Sequence, residues 1–341
     1  MSDTAVTIYL GENEIQVVEA KQEGKQIEIL GLGFDDSGLP IYDVSGEKAV
    51  QDETKIIEKV YDSLKTKIKN VNVVIPDAYS FSQIVEMPKL KEKELLSAIK
   101  YQADQFIPMP LEETALDLEI IQEDPVTKKI LVLIVACPQA LVAKVESLVE
   151  MSGLVPDSIE NELSACSRLI ASFYKPGNQE GGTVFINLGF SFSSFYFYHH
   201  RLKLVVDTHT FKVGQSLFLK EVQANTNFDF KKSVDALRTV GLSKDASYNF
   251  EQIILPATNE FMKELEKYLL SLKEKYKVTV NQLFLFNKAI DLKYLDQRLG
   301  AHFSLPAGYY NLLPELKNSP LVAAYAAVMP RFITPIGASL R

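Results

Sequence analysis

Apolar and polar positions alternate over 5–10, 15–19 and 27–33, with Glu12-Asn13 and Glu23-Gly24-Lys25 between them, so the chain opens as a strand meander. The period then changes. Ile56, Ile57, Val60, Tyr61, Leu64 and Ile68 recur at helical spacing behind Asp52 or Thr54 as cap. An apolar strand over 71–75 follows and closes on Pro76-Asp77. Strands, helix and strand in that order make half of an α/β lobe. From 81 onward a separate unit begins: a strand over 81–87, a helix over 91–106 with Leu95, Leu96, Ile99 and Phe106 on one side, then strands over 115–121 and 129–137. A helix over 139–152 starts at Pro138 and stops at Gly153, where proline and glycine are expected at helix ends. An amphipathic helix over 160–173 leads into the linker YKPGNQEGG. After the linker the meander restarts at 184–188, 194–198 and 202–208. A helix over 215–223, a long helix from 257 to about 275, a strand over 282–286 and a short helix over 292–299 complete it. The last segment, 321–340, is small and apolar, and reads as helix packed on a sheet. These patterns divide the chain at 1–79 (part of a first lobe), 80–155 (an inserted strand–helix–strand–strand subdomain), 156–180 (interlobe helix and linker) and 181–341 (a second lobe, helical over about 212–278).

A chain of 341 residues suits two lobes rather than one core. Apolar residues make up 47% and charged residues 23%, the balance of a folded globular protein. The net charge is −8, from 36 Lys+Arg against 44 Asp+Glu, with no long basic run, which makes nucleic acid a poor partner candidate, and none is expected. Cys137 and Cys166 sit in apolar periodic segments and read as buried free thiols. The start, MSDTAVTIYLG, has the pattern of a strand rather than a signal peptide. The apolar run 130–138 falls far short of the ~20 residues of a membrane helix, and Tyr325 interrupts 322–329, so no direct membrane insertion is expected.

Two stretches repeat each other: Ile8-Tyr9-Leu10-Gly11 and Ile186-Asn187-Leu188-Gly189. The duplication resembles the two phosphate loops of actin-like ATPases, where an aspartate two residues before each glycine holds waters on nucleotide magnesium. Three further blocks narrow the resemblance. They are Ala98-Ile-Lys-Tyr-Gln-Ala-Asp-Gln-Phe-Ile-Pro-Met-Pro-Leu-Glu-Glu, continuing to Leu116-Asp117; Gly153-Leu-Val-Pro-Asp-Ser-Ile-Glu-Asn-Glu-Leu-Ser-Ala; and Ile333-Thr-Pro-Ile-Gly-Ala-Ser-Leu-Arg341. Together they resemble the PilM family of type IV pilus assembly proteins over nearly the whole chain. That resemblance implies an actin-like (RNase H-like) two-lobed α/β fold with an SHS2-type insert. It implies a cytoplasmic scaffold, recruited to the inner membrane by the short cytoplasmic tail of a bitopic, PilN-like assembly protein. FtsA shares the architecture but continues into an amphipathic membrane-binding helix, whereas this chain stops at Arg341 within the closing segment. Two alternatives remain: an ATP-binding ATPase whose nucleotide state regulates partner binding, and an FtsA-like filament former with self-association.

The implied nucleotide site reads as degenerate. Tyr9 and Asn187 stand at the two aspartate positions beside Gly11 and Gly189, and neither orders a magnesium hydration shell. Glu12 and Glu14 would repel a triphosphate in the first hairpin. Gln16 replaces a common lysine, while Ser191 and Ser193 could still donate to phosphate. In the adenosine loop Phe286-Asn287 stands where glycines lie flat on nucleotide, and Phe286 is expected to fill that volume. Glu162 would be the residual water-orienting acid, or simply an acid at a helix start. Hence no cofactor is expected, with ATP and magnesium relevant only if the site still functions.

No metal or nucleophile motif emerges. His199-His200 reads as a solvated hairpin tip, and Phe195-Tyr196-Phe197-Tyr198 as a strand with two packed faces. Asn311-Leu312-Leu313-Pro314 resembles an Asn-Leu-Leu-Pro motif of the PilN tail, a match too short to carry weight. For the tail itself, the expected groove lies between the first lobe and the insert. It would be formed by Ile84, Val85 and Met87 on the strand over 81–87 and by the turn Phe106-Ile107-Pro108, with Pro108 holding Ile107 outward.

Overall fold

The computed structural model describes residues 4–36, 42, 46–90, 92–101, 107–177, 180–243 and 250–341. Among them, two five-stranded sheets repeat one topology. The first contains β1 (Ala5–Leu10), β2 (Ile15–Glu23), β3 (Gln26–Asp35), β4 (Asn70–Ile75) and, later in the chain, β8 (Val155–Asn161), in the order β3-β2-β1-β4-β8. The second contains β9 (Gly182–Leu188), β10 (Ser193–His199), β11 (Leu204–Phe211), β12 (Val280–Asn287) and β13 (Ala307–Tyr309), in the order β11-β10-β9-β12-β13. In both, the first three strands form an antiparallel meander and the last two run parallel to the first. The chain therefore folds the same device twice. The third sheet is antiparallel, β5 (Phe81–Pro88), β7 (Lys129–Pro138) and β6 (Thr114–Asp124) in the order β5-β7-β6, with α2 (Glu92–Tyr101) as its helix.

The lobes meet on α4 (Glu162–Phe173), which shares a core with Phe185, Tyr196, Phe286, Phe332, Ile333 and Ile336. The closing segment is not one helix. It runs as α9 (Pro320–Tyr325), a 3-10 stretch Ala326–Phe332 containing Pro330, and α10 (Ile333–Ala338). Pro320–Ala338 is long and apolar enough to cross a membrane, yet 56% of it is buried inside the protein, as in a core helix. A Cβ on Gly337 would fall 2.2 Å from the carbonyl oxygen of Ala165, so only glycine lets α10 approach α4 this closely.

Some elements depart from the sequence pattern. β8 carries no strand signal of its own, because VPDSIEN is largely polar and contains proline; its pairing with β4 decides its structure, and α4 begins at Glu162 rather than 160. α1 (Glu47–Asp62) has Gly46 at its N-cap, leaving Asp52 and Thr54 inside the helix, and the Thr54 hydroxyl donates back to the Val50 carbonyl. α6 (Phe230–Thr239), capped by the Asp229 side chain, was not anticipated. α7 (Phe250–Tyr276) starts well before 257 and carries Pro256 within it. The remaining helices, α3 (Gln139–Met151), α5 (Gln215–Asn225) and α8 (Leu295–Phe303), lie close to their patterns.

Candidate functional site

The two repeated hairpins close in the same way. Gly11 N–H donates to the Glu14 carbonyl at 2.8 Å, and Gly189 N–H donates to the Phe192 carbonyl at 3.0 Å. A Cβ at Gly189 would lie 2.6 Å from that carbonyl, so the repeated glycines are set by close approach of backbone. Between the hairpins, the side chains that replace the expected aspartates form a ring of hydrogen bonds. Tyr9 Oη donates to Glu162 Oε1 at 2.9 Å. Asn287 Nδ2 reaches the same oxygen at 3.5 Å and donates to Asn187 Oδ1 at 2.9 Å. Asn187 Nδ2 donates to Tyr196 Oη at 3.2 Å, and Tyr196 Oη donates to Asp77 Oδ2 at 2.6 Å. The ring closes because Asp77 N–H donates to Glu162 Oε2 at 2.9 Å, while Leu163 N–H donates to Asp77 Oδ1 at 2.9 Å. First lobe, linking helix and second lobe are joined through six side chains, all buried.

The ring contains two carboxyl groups, and the hydrogen bonds that reach them from Tyr9, Asn287, Tyr196 and the Asp77 and Leu163 amides all come from neutral donors. Burial, and then the charge of Asp77, push the Glu162 carboxyl up to about 8. Burial raises Asp77 as well. The phenols of Tyr9 and Tyr196 are held protonated by burial and the adjacent acids, which keeps them as donors.

Glu12 and Glu14 do not face an open phosphate site. Ser191 N–H, an amide that could approach phosphate, donates to Glu12 Oε1 at 3.1 Å. Glu14 is buried, with Lys288 Nζ at 3.1 Å and Arg331 Nη1 at 3.8 Å. Arg331 also pairs with Asp291 and Asp36, each at 2.7 Å, and Arg238 pairs with Asp291 at 2.9 Å. Three acids and three bases thus balance across the cleft. The space left among Tyr9, Glu12, Glu162, Asn187 and Gly189 is about 10 Å³. That admits at most one water, whereas small-molecule sites run to roughly 300 Å³ or more.

Phe286 corrects one expectation. It packs in the interlobe core beside Tyr196, centroids 6.2 Å apart, rather than filling the adenosine loop. Its neighbours Asn287 and Lys288 reach across the cleft instead. Asn287 has φ 60° and ψ −131°, a backbone that glycine adopts readily and asparagine does not. Gln16 is wholly buried, and neither amide atom has a partner among the described residues. His200 is another correction: it is no solvated tip but is buried, with Nε2 2.9 Å from Thr183 Oγ1 and Nδ1 3.1 Å from the Glu180 carbonyl. Sequence reading missed Asp77, Tyr196, Lys288, Asp291 and Arg331. Pro76-Asp77 after an apolar strand was the available signal for the first; the others look like ordinary strand or surface residues.

A family profile for type IV pilus assembly protein PilM matches residues 8–315. The chain belongs to the PilM family. Its structure is similar to the PilM-PilN type IV pilus biogenesis complex, with TM-score 0.84 at 16% identity, covering 99% of this chain and 98% of that one. It also resembles the ethanolamine utilization protein EutJ from Carboxydothermus hydrogenoformans, with TM-score 0.53 at 10% identity over 100% of this chain and 90% of that chain. A Bacteroides thetaiotaomicron protein with actin-like ATPase fold gives TM-score 0.51 at 11% identity, with 96% of each chain covered. The fold is thus the actin-like α/β fold.

In this PilM-family chain the residues expected at a partner groove separate into two groups. Val85 and Met87 pack half-buried beneath α2, in the core of the insert. Ile107 is 4% exposed and belongs to that same core, so the expectation that Pro108 holds it outward is wrong; Pro108 itself is exposed. Phe106 lies outside the described residues. Ile84 points the other way and lines a groove between the insert, α4 and β11, a cavity of about 180 Å³. Its walls include Ile120, Ile121, Leu133, Ser167 and Val205.

Proposed function

We propose that this PilM-family protein is a cytoplasmic scaffold of a type IV pilus-like assembly machine that holds the cytoplasmic tail of a PilN-like inner-membrane protein and hydrolyses no nucleotide. The observation that carries the second half is the closed cleft, where the Tyr9–Glu162–Asn287–Asn187–Tyr196–Asp77 ring leaves about 10 Å³. Support for the first half comes from the family and from the likeness to a PilM-PilN complex. The tail's place on this reading is the Ile84 groove. An extended segment with little surface of its own needs an apolar slot or a strand edge, and this groove offers both, since β6 is an edge strand of the insert.

Calorimetry with Mg-ATP and with a synthetic peptide containing Asn-Leu-Leu-Pro tests both halves. No heat from ATP up to about 1 mM is expected, with peptide binding lost in Ala171→Phe, which fills the groove. A low-micromolar, magnesium-dependent ATP affinity would refute the nucleotide-free reading. Unchanged peptide affinity in Ala171→Phe would refute the groove.

A further inference from the structure

The segment that joins α1 to β4 is a basic stretch with a fixed orientation. From Ser63 to Pro76 the chain carries Lys65, Lys67 and Lys69 and no acid. Thr66 and Ile68, between them, turn inward. The Thr66 hydroxyl donates to Glu19 Oε1 at 3.2 Å and accepts from the Ile68 N–H at 3.3 Å, while the Tyr61 hydroxyl donates to the Ile68 carbonyl at 2.6 Å. That alternation leaves all three lysines exposed, and none is in an ion pair among the described residues; Lys69 Nζ lies 4.6 Å over the Tyr61 ring. Beside them stand two apolar side chains that the fold leaves in solvent. Val155, 51% exposed, is tied to the stretch by its N–H, which donates to the Lys69 carbonyl at 2.9 Å. Met151, 52% exposed, ends α3 just before the Gly153 turn into β8. Lysines around exposed aliphatic side chains suit a surface that lies on anionic lipid, with cations at the headgroups and apolar tips at the acyl boundary.

We infer that this face of the first lobe, made of Lys65, Lys67, Lys69, Met151 and Val155, rests on an anionic phospholipid surface. It is a contact separate from the Ile84 groove and does not depend on it. β8 runs from Val155 past Glu160, whose carboxylate pairs at 2.7 Å with Arg168 on the groove wall, so face and groove lie about 17 Å apart along one strand. A protein held at that groove by a short tail is held near the bilayer, where a weak lipid contact acts at high effective concentration. A cavity of about 430 Å³ adjoins the same end of the sheet, lined by Ile68, Asn70, Asn72, Asp157, Ser339 and Arg341. The Asp157 carboxylate on its wall opposes an anion, so the lysines and not the cavity make the contact. Asp62 and Glu150 adjoin the face in the chain, and the whole protein is acidic, which makes the attraction local and salt-sensitive.

Sedimentation of the full chain with vesicles, and with no partner present, tests it: phosphatidylcholine alone, and phosphatidylcholine with about 40% phosphatidylglycerol. At low salt the anionic vesicles should bind at least about tenfold better than the neutral ones, and about 0.5 M salt should remove the difference. Lys65→Gln with Lys67→Gln and Lys69→Gln should weaken anionic-vesicle binding at least about tenfold, and Met151→Gln with Val155→Thr about threefold. Both variants should keep their melting temperature and their affinity for the Asn-Leu-Leu-Pro peptide. Equal binding to the two vesicles, or anionic binding that the lysine variant retains, overturns the inference and leaves the groove untouched. Loss through the lysines with the apolar variant unchanged overturns the seating of Met151 and Val155. A lysine-dependent dimer without vesicle binding gives the face to a second copy of the chain and overturns the lipid contact. If the lysine variant melts early, the unaltered chain decides, since vesicle binding that ignores salt overturns the inference by itself.

Discussion

Glu162 offers the sharpest test of the ring that joins the lobes. Its carboxyl sits about 3.5 pH units above the ordinary 4.5, at about 8, because burial and then Asp77 disfavour its charge. The sign follows directly. A carboxyl raised in the folded state contributes stability that is complete below about 4.5 and is lost as pH climbs toward 8. At about 1.4 kcal/mol per pH unit the ceiling is near 5 kcal/mol, and because Glu162 titrates against the charge of Asp77 the expected loss is about 2–3 kcal/mol. Glu162→Gln keeps the shape and removes the titration. Its amide cannot accept from Tyr9, Asn287 and the Asp77 N–H all at once, so below pH 5 the variant should be less stable by about 1–2 kcal/mol. Above about pH 8.5 the order should reverse, with the variant the more stable protein. Guanidinium midpoints followed by circular dichroism from pH 5 to 9 measure both limbs. Asp77 keeps its own burial-driven rise, so the variant retains a weaker slope. Parallel curves with no crossing would refute the claim that Glu162 is held protonated in the folded cleft.

The charge cluster predicts that Arg331→Met, which leaves Glu14 to Lys288 alone and Asp291 to Arg238 alone, costs about 3–5 kcal/mol, while Lys317→Met on the exposed Glu23 pair costs under about 1 kcal/mol; chemical denaturation compares them. Ile107→Asp should unfold the insert, seen as a lowered melting temperature, because the side chain lies in its core; unchanged melting would restore the outward turn. At Asn287, substitution by Gly should be milder than by Ala by about 1 kcal/mol, since both lose the bridge to Asn187 but only glycine relieves the φ of 60°; equal losses would show that no strain is stored there.

The duplicated architecture was legible because it is written in local periodicity. Strand meanders and helices sort themselves by period 2 and 3.6, and the repeated Ile-x-Leu-Gly stretches mark the same turn in both lobes. β8 was illegible for the converse reason: its residues are polar, and only pairing with β4 makes them a strand. Substitutions at Tyr9 and Asn187 signalled loss of the metal ligands. What took their place did not show, because Asp77, Tyr196 and Asn287 meet only when three distant segments pack together. Ile107 failed differently. Two prolines just after it suggested exposure, but Ile107 packs with Leu95, Ile99 and Ile130 in the core of the insert.

The replacements share one physical logic. Nucleotide in this fold brings anions between the lobes, and here the chain supplies its own. The Glu12 carboxylate takes the Ser191 amide, and Glu14 takes Lys288 and Arg331, so donors that a triphosphate would need are already engaged by tethered acids. A tethered acid acts at an effective concentration in the millimolar range or above and needs no binding event. ATP entering the cleft would have to displace those acids, break the Tyr9–Glu162 ring and open more than the 10 Å³ present. On the proposed reading, then, any control of partner binding acts where the partner itself sits: on the insert, at the Ile84 groove.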